Sequence, residues 1–143
     1  MIKKIIILAA GKGIRLKPIT NDIPKCLTPV GEKTILEYQI DIAKKCGVEE
    51  IIVIGGFKIE KIKFSNITII ENKKFDSTNM VESLNCAKDY LNSGFILSYG
   101  DIIYCESVLK QMMIPTEIIA VAADMGWKSY WQERFDDPLS DAE

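Results

Sequence analysis

Gly11-Lys12-Gly13-Ile14-Arg15 follows the apolar run Ile5 to Leu8 after Ala9-Ala10, and Lys25 lies a short way beyond. These residue types suit a polyphosphate. Gly11 and Gly13 let the backbone approach a ligand and turn without a Cβ clash. Successive free amides in such a turn form a concavity that binds anions. Arg15 adds a planar fork of donors, and Lys25 a compact point charge. Far along the chain, Phe95-Ile-Leu-Ser-Tyr-Gly-Asp101 ends an apolar stretch with an acidic residue after a glycine. A carboxylate there suits Mg²⁺, which takes one or two carboxylates plus phosphate oxygens and water. Each feature also has a plainer reading. Two glycines can simply make a tight turn, and an Asp at that place can simply open one.

Other phosphate motifs do not fit. A Walker-type loop needs G-x-x-x-x-G-K-S/T, which Gly11-Lys12-Gly13 does not supply. A dinucleotide fingerprint needs a small residue where this chain has Leu16. The 143-residue chain contains no histidine, which removes Ser-His-Asp and Cys-His mechanisms. Catalysis must then use carboxylates, Lys, Arg, backbone amides or a hard metal ion. A net charge of −2 and scattered lysines argue against nucleic acid as a partner. Cys26, Cys46, Cys86 and Cys105 are widely separated and form no C-x-x-C pair. They read as reduced, mostly buried thiols of a cytoplasmic protein. No apolar run approaches the length of a membrane span, and the short N-terminal one has no signal-peptide cleavage pattern.

The elements that must position these residues alternate between strand and helix. Ile5–Ala9, Ile51–Ile54, Ile67–Ile70, Phe95–Ser98 and Ile118–Ala123 read as strands. Thr34-Ile-Leu-Glu37 is a capping-box pattern that opens a helix. Ile35, Tyr38, Ile42 and Lys45 follow at helical spacing, and Gly47 is its stop. Residues Asn79–Leu91, capped by Ser77 or Thr78, read as a second helix, and Ser107–Met113 as a third. Segment 57–64 is ambiguous. The alternation predicts an α/β fold with a Rossmann-like, doubly wound, mostly parallel sheet. In such a sheet the ligand lies beyond the carboxyl ends of the strands. The glycine loop and Asp101 both leave strands at that edge. The pattern leaves the strand order open.

Residues 8–29 resemble the nucleotidyltransferases that join a nucleoside triphosphate to a phosphorylated small molecule. The pattern G-x-G-x-R-L-x-P-L-T-x-x-x-P-K-x-L-x-P is met at Gly11, Gly13, Arg15, Leu16, Pro18, Thr20, Pro24, Lys25, Leu27 and Pro29, with Ile19 for Leu. The resemblance implies the nucleotide-diphospho-sugar transferase type of fold and Mg²⁺ as cofactor. It gives Arg15, Lys25 and Asp101 as the catalytic set, with Asp101 as metal ligand. Main-chain groups of Leu8, Ala9, Ala10, Gly11 and Gly13, together with Arg15, Asn79 and Ser83, would hold the nucleotide. For Asn79, simple N-capping is the competing reading.

Residues 124–141 resemble the branch that activates phosphocholine, phosphonates or sugar phosphates with CTP. Trp131 falls where that branch sets an aromatic face against an acceptor's cation. Trp127, Tyr130, Trp131 and Phe135 could equally form one apolar helical face. The family's later segment, with a second acidic ligand, finds no match here, and Asp136, Asp137 and Asp141 fall in the wrong stretch. Residues 1–143 are therefore expected to be the N-terminal part of a nucleotidyltransferase domain, with full turnover requiring a longer chain. The competing expectations are a non-catalytic nucleotide-binding fragment and an interaction module built on residues 127–135.

Overall fold

A computed structural model describes residues 1–133 and 135–139. In chain order the elements are β1 (Lys4–Ala9), β2 (Pro29–Val30), β3 (Lys33–Thr34), α1 (Ile35–Lys45), β4 (Glu50–Gly55), β5 (Thr68–Glu71), α2 (Met80–Asn85), β6 (Ile96–Tyr99), α3 (Glu106–Met112) and α4 (Trp127–Gln132). The main sheet is parallel in every pairing, in the order β5-β4-β1-β6. β2 and β3 form a small antiparallel pair.

The central strands β1 and β4 are apolar and buried on both faces, as parallel strands usually are, whereas the edge strands β5 and β6 alternate with exposed residues. Alternate β1 residues enter two separate cores. Ile5, Ile7 and Ala9 pack with Leu36, Ile40 and Ala43 of α1 and with Leu109 and Met113 around α3. Ile6 packs with Ile52, Ile54 and Ala87, and Leu84, Tyr90 and Leu91 close over them. Helical cover on both faces is the doubly wound arrangement. The chain runs from β1 to β4 and β5 on one side, then returns to place β6 on β1's other side. The direction of winding therefore reverses between β1 and β6, where such folds bind ligands.

Helix α1 begins as its sequence demands. The Thr34 hydroxyl accepts from the Glu37 amide at 3.3 Å, and the Glu37 carboxylate accepts from the Thr34 amide at 2.6 Å. That second bond holds the Glu37 carboxyl below its ordinary value of 4.5. A carboxyl with a lowered folded pKa stabilises the fold above its unfolded pKa and loses that contribution as pH falls through the folded value. Glu37→Gln should therefore lower stability modestly at pH 7, and the difference from wild type should shrink on acidification below about pH 4. Denaturant melts at a series of pH values read this directly. The helix ends at Gly47, whose φ of 79° lies in the left-handed region.

The structure corrects five expectations, the last of them on the cysteines. Residues 118–123 form no strand, and Ile118, Ile119 and Val121 are exposed. A strand needs a neighbour for its backbone groups, and β6 has no partner on its outer side among the described residues. The second helix is shorter than 79–91. Its bonds tighten to the Ala87-to-Leu84 type, and a 3₁₀ turn at Lys88–Tyr90 follows. Its cap is Asn79, as the competing reading of that residue had it, and not Ser77 or Thr78. The buried stripe of α1 is Ile35, Leu36, Gln39, Ile40 and Ala43, so Tyr38 and Ile42 lie at its margin. Segment 57–64 holds a 3₁₀ turn at Ile59–Lys61.

All four cysteines are free. Against the expectation of mostly buried thiols, only Cys26 is buried, where burial pushes its thiol up to about 12; Cys46 and Cys86 are half-buried at element margins. Cys105 is exposed, and hydrogen bonding by Ser107 lowers its thiol pKa. Among the described residues no helix is long and apolar enough to cross a membrane.

Candidate active site

The glycine loop leaves the carboxyl end of β1 and closes over Lys25. Gly13 has φ 64° and precedes a 3₁₀ turn at Ile14–Leu16. Its carbonyl accepts from the buried Thr20 hydroxyl at 2.7 Å. A Cβ at Gly13 would stand 3.0 Å from the Lys25 Cβ and 3.2 Å from the Thr20 methyl. Glycine is thus required both by the backbone conformation and by the approach of Lys25. Gly11 faces open space. The amides of Gly11, Lys12 and Gly13 donate to no main-chain carbonyl among the described residues. They are the donors an anion-binding loop needs.

Asp101 arrives from the neighbouring strand. The Gly100 amide donates to the Leu8 carbonyl at 2.8 Å, which carries the pairing of β6 with β1 past the strand end. A Cβ at Gly100 would lie 2.7 Å from that carbonyl oxygen and 2.9 Å from the Ala9 Cβ. The turn into Asp101 therefore lies directly on the end of β1. There the Lys25 ammonium meets Asp101 Oδ2 at 2.5 Å, although the two are 76 positions apart in sequence. Both side chains remain about one-third exposed, at 31% and 36%. An exposed pair of this kind contributes little stability, roughly 0–1 kcal/mol. Its position at the strand-order reversal is the informative fact.

The remaining sequence candidates surround this point. Arg15 is exposed on the 3₁₀ turn. The Ala10 carbonyl accepts from the Phe57 amide at 3.2 Å, so main-chain groups of both Leu8 and Ala10 help to fix the strand ends. The Asn79 side chain caps α2 by accepting from the Glu82 amide at 3.1 Å. Ser83 is buried. It accepts from Asn72 Nδ2 at 3.0 Å and donates to the Asn79 carbonyl. Trp131 stacks on Phe135, with ring centroids 5.4 Å apart. No residue of α4 is buried. Asp141 lies outside the described residues.

Three residues at this edge were not picked out from sequence. Lys12 pairs with Asp76 at 2.6 Å and stands 5.6 Å from the Phe75 ring centroid. Asn72 is buried, and its side chain also accepts from the Lys74 amide and donates to Thr78. Gln39 is fully buried on α1. The available signal was a polar residue within an apolar stripe.

A hard cation fits this chemistry, because Asp101 presents an oxygen donor beside the glycine loop. Among the described residues no three His, Cys, Asp or Glu side chains converge, so the protein's donor here is the single carboxylate.

Comparison with known proteins defines the class. Residues 5–126 match the family described as the MobA-like NTP transferase domain. The chain belongs to that family, and its fold is that of the nucleotide-diphospho-sugar transferases. It is 40% identical to the CTP:phosphoglutamine cytidylyltransferase of Campylobacter jejuni over 149 residues, covering 96% of this chain and 59% of that protein. The solved CTP:phosphocholine cytidylyltransferase of Streptococcus pneumoniae superposes with a TM-score of 0.67 at 32% identity, covering 73% of this chain and 49% of that one. The inositol-1-phosphate CTP transferase of T. maritima gives 0.66 at 28% identity, covering 81% and 50%. The chain thus spans about half the length of the solved relatives it matches.

Proposed function

We propose that the protein is a cytidylyltransferase, joining CTP to a phosphorylated small molecule with release of pyrophosphate. The observation that carries this reading is the Lys25–Asp101 contact against the glycine loop, at the reversal of strand order. CTP as donor is supported by relatives named for that nucleotide. The residues 1–143 form the nucleotide-binding part of the domain. Free thiols suit a reducing compartment, the cytoplasm.

The chemistry needs no histidine. The acceptor's phosphate has a second pKa near ~6 and is mostly dianionic at neutral pH. Its oxygen attacks the α-phosphorus of CTP in line. A new P–O–P bond forms, the bond from the α-phosphorus to the β-bridging oxygen breaks, and pyrophosphate leaves with that electron pair. The protein's task is to position the groups and neutralise charge. The amides of the glycine loop and Arg15 bind the β- and γ-phosphates. Lys25 binds the α-phosphate or the acceptor phosphate, while Asp101 is available to a cation. Mg²⁺ held by Asp101 would supply further positive charge at the reacting phosphates. Asn79 and Ser83 shape the base-binding start of α2, and Trp131 is assigned to the acceptor.

Arg15→Ala tests the phosphate assignment. Charge-assisted hydrogen bonds contribute roughly 1.5–3 kcal/mol, so CTP binding should weaken by about one to two orders of magnitude. Unchanged CTP affinity in calorimetry would remove Arg15 from the site.

A further inference from the structure

Gln39 is a polar residue in a place that apolar packing would otherwise fill. It is 0% exposed and lies in the α1 stripe between Leu36 and Ile40. Burying an amide there is costly unless its hydrogen bonds are made. Both of its polar atoms are bonded, and the bonds converge on the end of β6 and the turn that follows it. The side-chain Nε2 donates to the Tyr99 carbonyl at 2.8 Å and to the Ile102 carbonyl at 2.6 Å. These two carbonyls flank Gly100-Asp101. On the other side, Oε1 accepts from the Ser98 hydroxyl at 3.3 Å. This network fixes the amide's orientation, because the flipped form would set its oxygen against two carbonyl oxygens. No main-chain amide among the described residues reaches the Ile102 carbonyl. The turn after β6 thus depends on a side chain from another element.

We infer that Gln39 is a positioning residue for Asp101: its amide clamps both ends of the Tyr99–Ile102 turn and so holds the carboxylate against Lys25. The inference rests on the role proposed above for Asp101. It adds a residue that touches neither nucleotide nor acceptor. The neighbouring contacts leave the turn few other restraints. The Gly100 amide is tied to Leu8, and among the described residues Asp101 itself is tied through the exposed pair with Lys25. Without the clamp, the Ile102 carbonyl loses the donor it has among the described residues and the Tyr99 carbonyl keeps only the 3.3 Å bond from the Ser98 hydroxyl, so the turn opens toward water and carries Asp101 with it.

The test uses Gln39→Met, similar in size and without hydrogen-bonding protons, in the full-length protein. Hydrogen exchange over residues 99–103 should accelerate at least tenfold, while β1 and β4 keep their protection. Pyrophosphate release from CTP, with an acceptor that supports turnover, should fall at least tenfold, with CTP affinity changed less than threefold. A merely structural role would loosen β1 and β4 together with the turn and would weaken CTP binding in proportion. Should Gln39→Met fail to fold, Gln39→Glu, which loses both donors on ionisation, is read in the same two assays. Unchanged exchange over 99–103 in a folded variant overturns the inference, as does full pyrophosphate release. Asp101→Asn run in parallel separates the two claims. If that variant keeps full activity, the role of Asp101 fails, and the positioning inference fails with it. If it is inactive while Gln39→Met is fully active, only the positioning inference fails.

Discussion

Asp101→Asn should reduce pyrophosphate release by roughly 10²–10³-fold, the scale seen when a group stabilising developing charge is removed. CTP affinity should change little, because the glycine loop and Arg15 remain. The substitution keeps the size of the side chain and removes only its charge. The turn that carries it should stay in place, since Gln39 and the Gly100 amide hold the neighbouring backbone. Lys25 would lose its carboxylate partner, but that exposed pair contributes little to stability. The expected signature is therefore lost turnover with an unchanged melting temperature. Steady-state kinetics at saturating Mg²⁺, paired with calorimetry, reads both halves. Equal rates in the two proteins would exclude Asp101 from the reaction.

Gly100→Ala should act on both fold and site. Its φ is ordinary, so the difficulty is space rather than backbone strain. The new methyl would meet the Leu8 carbonyl oxygen at 2.7 Å and Ala9 at 2.9 Å. Neither neighbour can give way as the end of a flexible side chain would. Overpacking of this kind costs roughly 1–3 kcal/mol, a fall of several degrees in Tm. The β1–β6 junction would open, and Asp101 would move away from Lys25. Thermal melts and pyrophosphate release should fall together, in contrast to Asp101→Asn. A variant with wild-type Tm and activity would show that β6 does not need this close approach.

That the glycine loop, Lys25 and Asp101 would meet at one sheet edge was legible in sequence, because the loop and Asp101 each follow an apolar strand run. The strands β1 and β4 were legible because continuous apolar runs have few alternatives. The Thr34–Glu37 capping box named its helix start outright. What failed depended on contacts far apart in sequence. Ile118–Ala123 has strand composition, yet composition supplies no neighbouring strand, and the segment is exposed. Apolar spacing in α1 fits more than one face, and only the sheet selects Leu36, Ile40 and Ala43. Asn79, Ser77 and Thr78 are all good caps. The choice fell to Asn79 because Thr78 is engaged by Asn72 and Lys74. Gln39 looked like any polar helical residue until Tyr99 and Ile102 were brought beside it.

The most direct test of the central claim is product formation from CTP labelled at the α-phosphate. The full-length protein would be incubated with Mg²⁺ and, in separate reactions, phosphocholine, phosphorylated glutamine, an aminoalkyl phosphonate and a sugar 1-phosphate. The account predicts that one of these acceptors gives labelled CMP joined to it through a new phosphoanhydride, with one pyrophosphate released per product. Omitting the acceptor or Mg²⁺ should abolish both. CTP bound with the expected dependence on Arg15, but never transferred to any phosphorylated acceptor, would contradict the account and leave a nucleotide-binding protein without transferase activity.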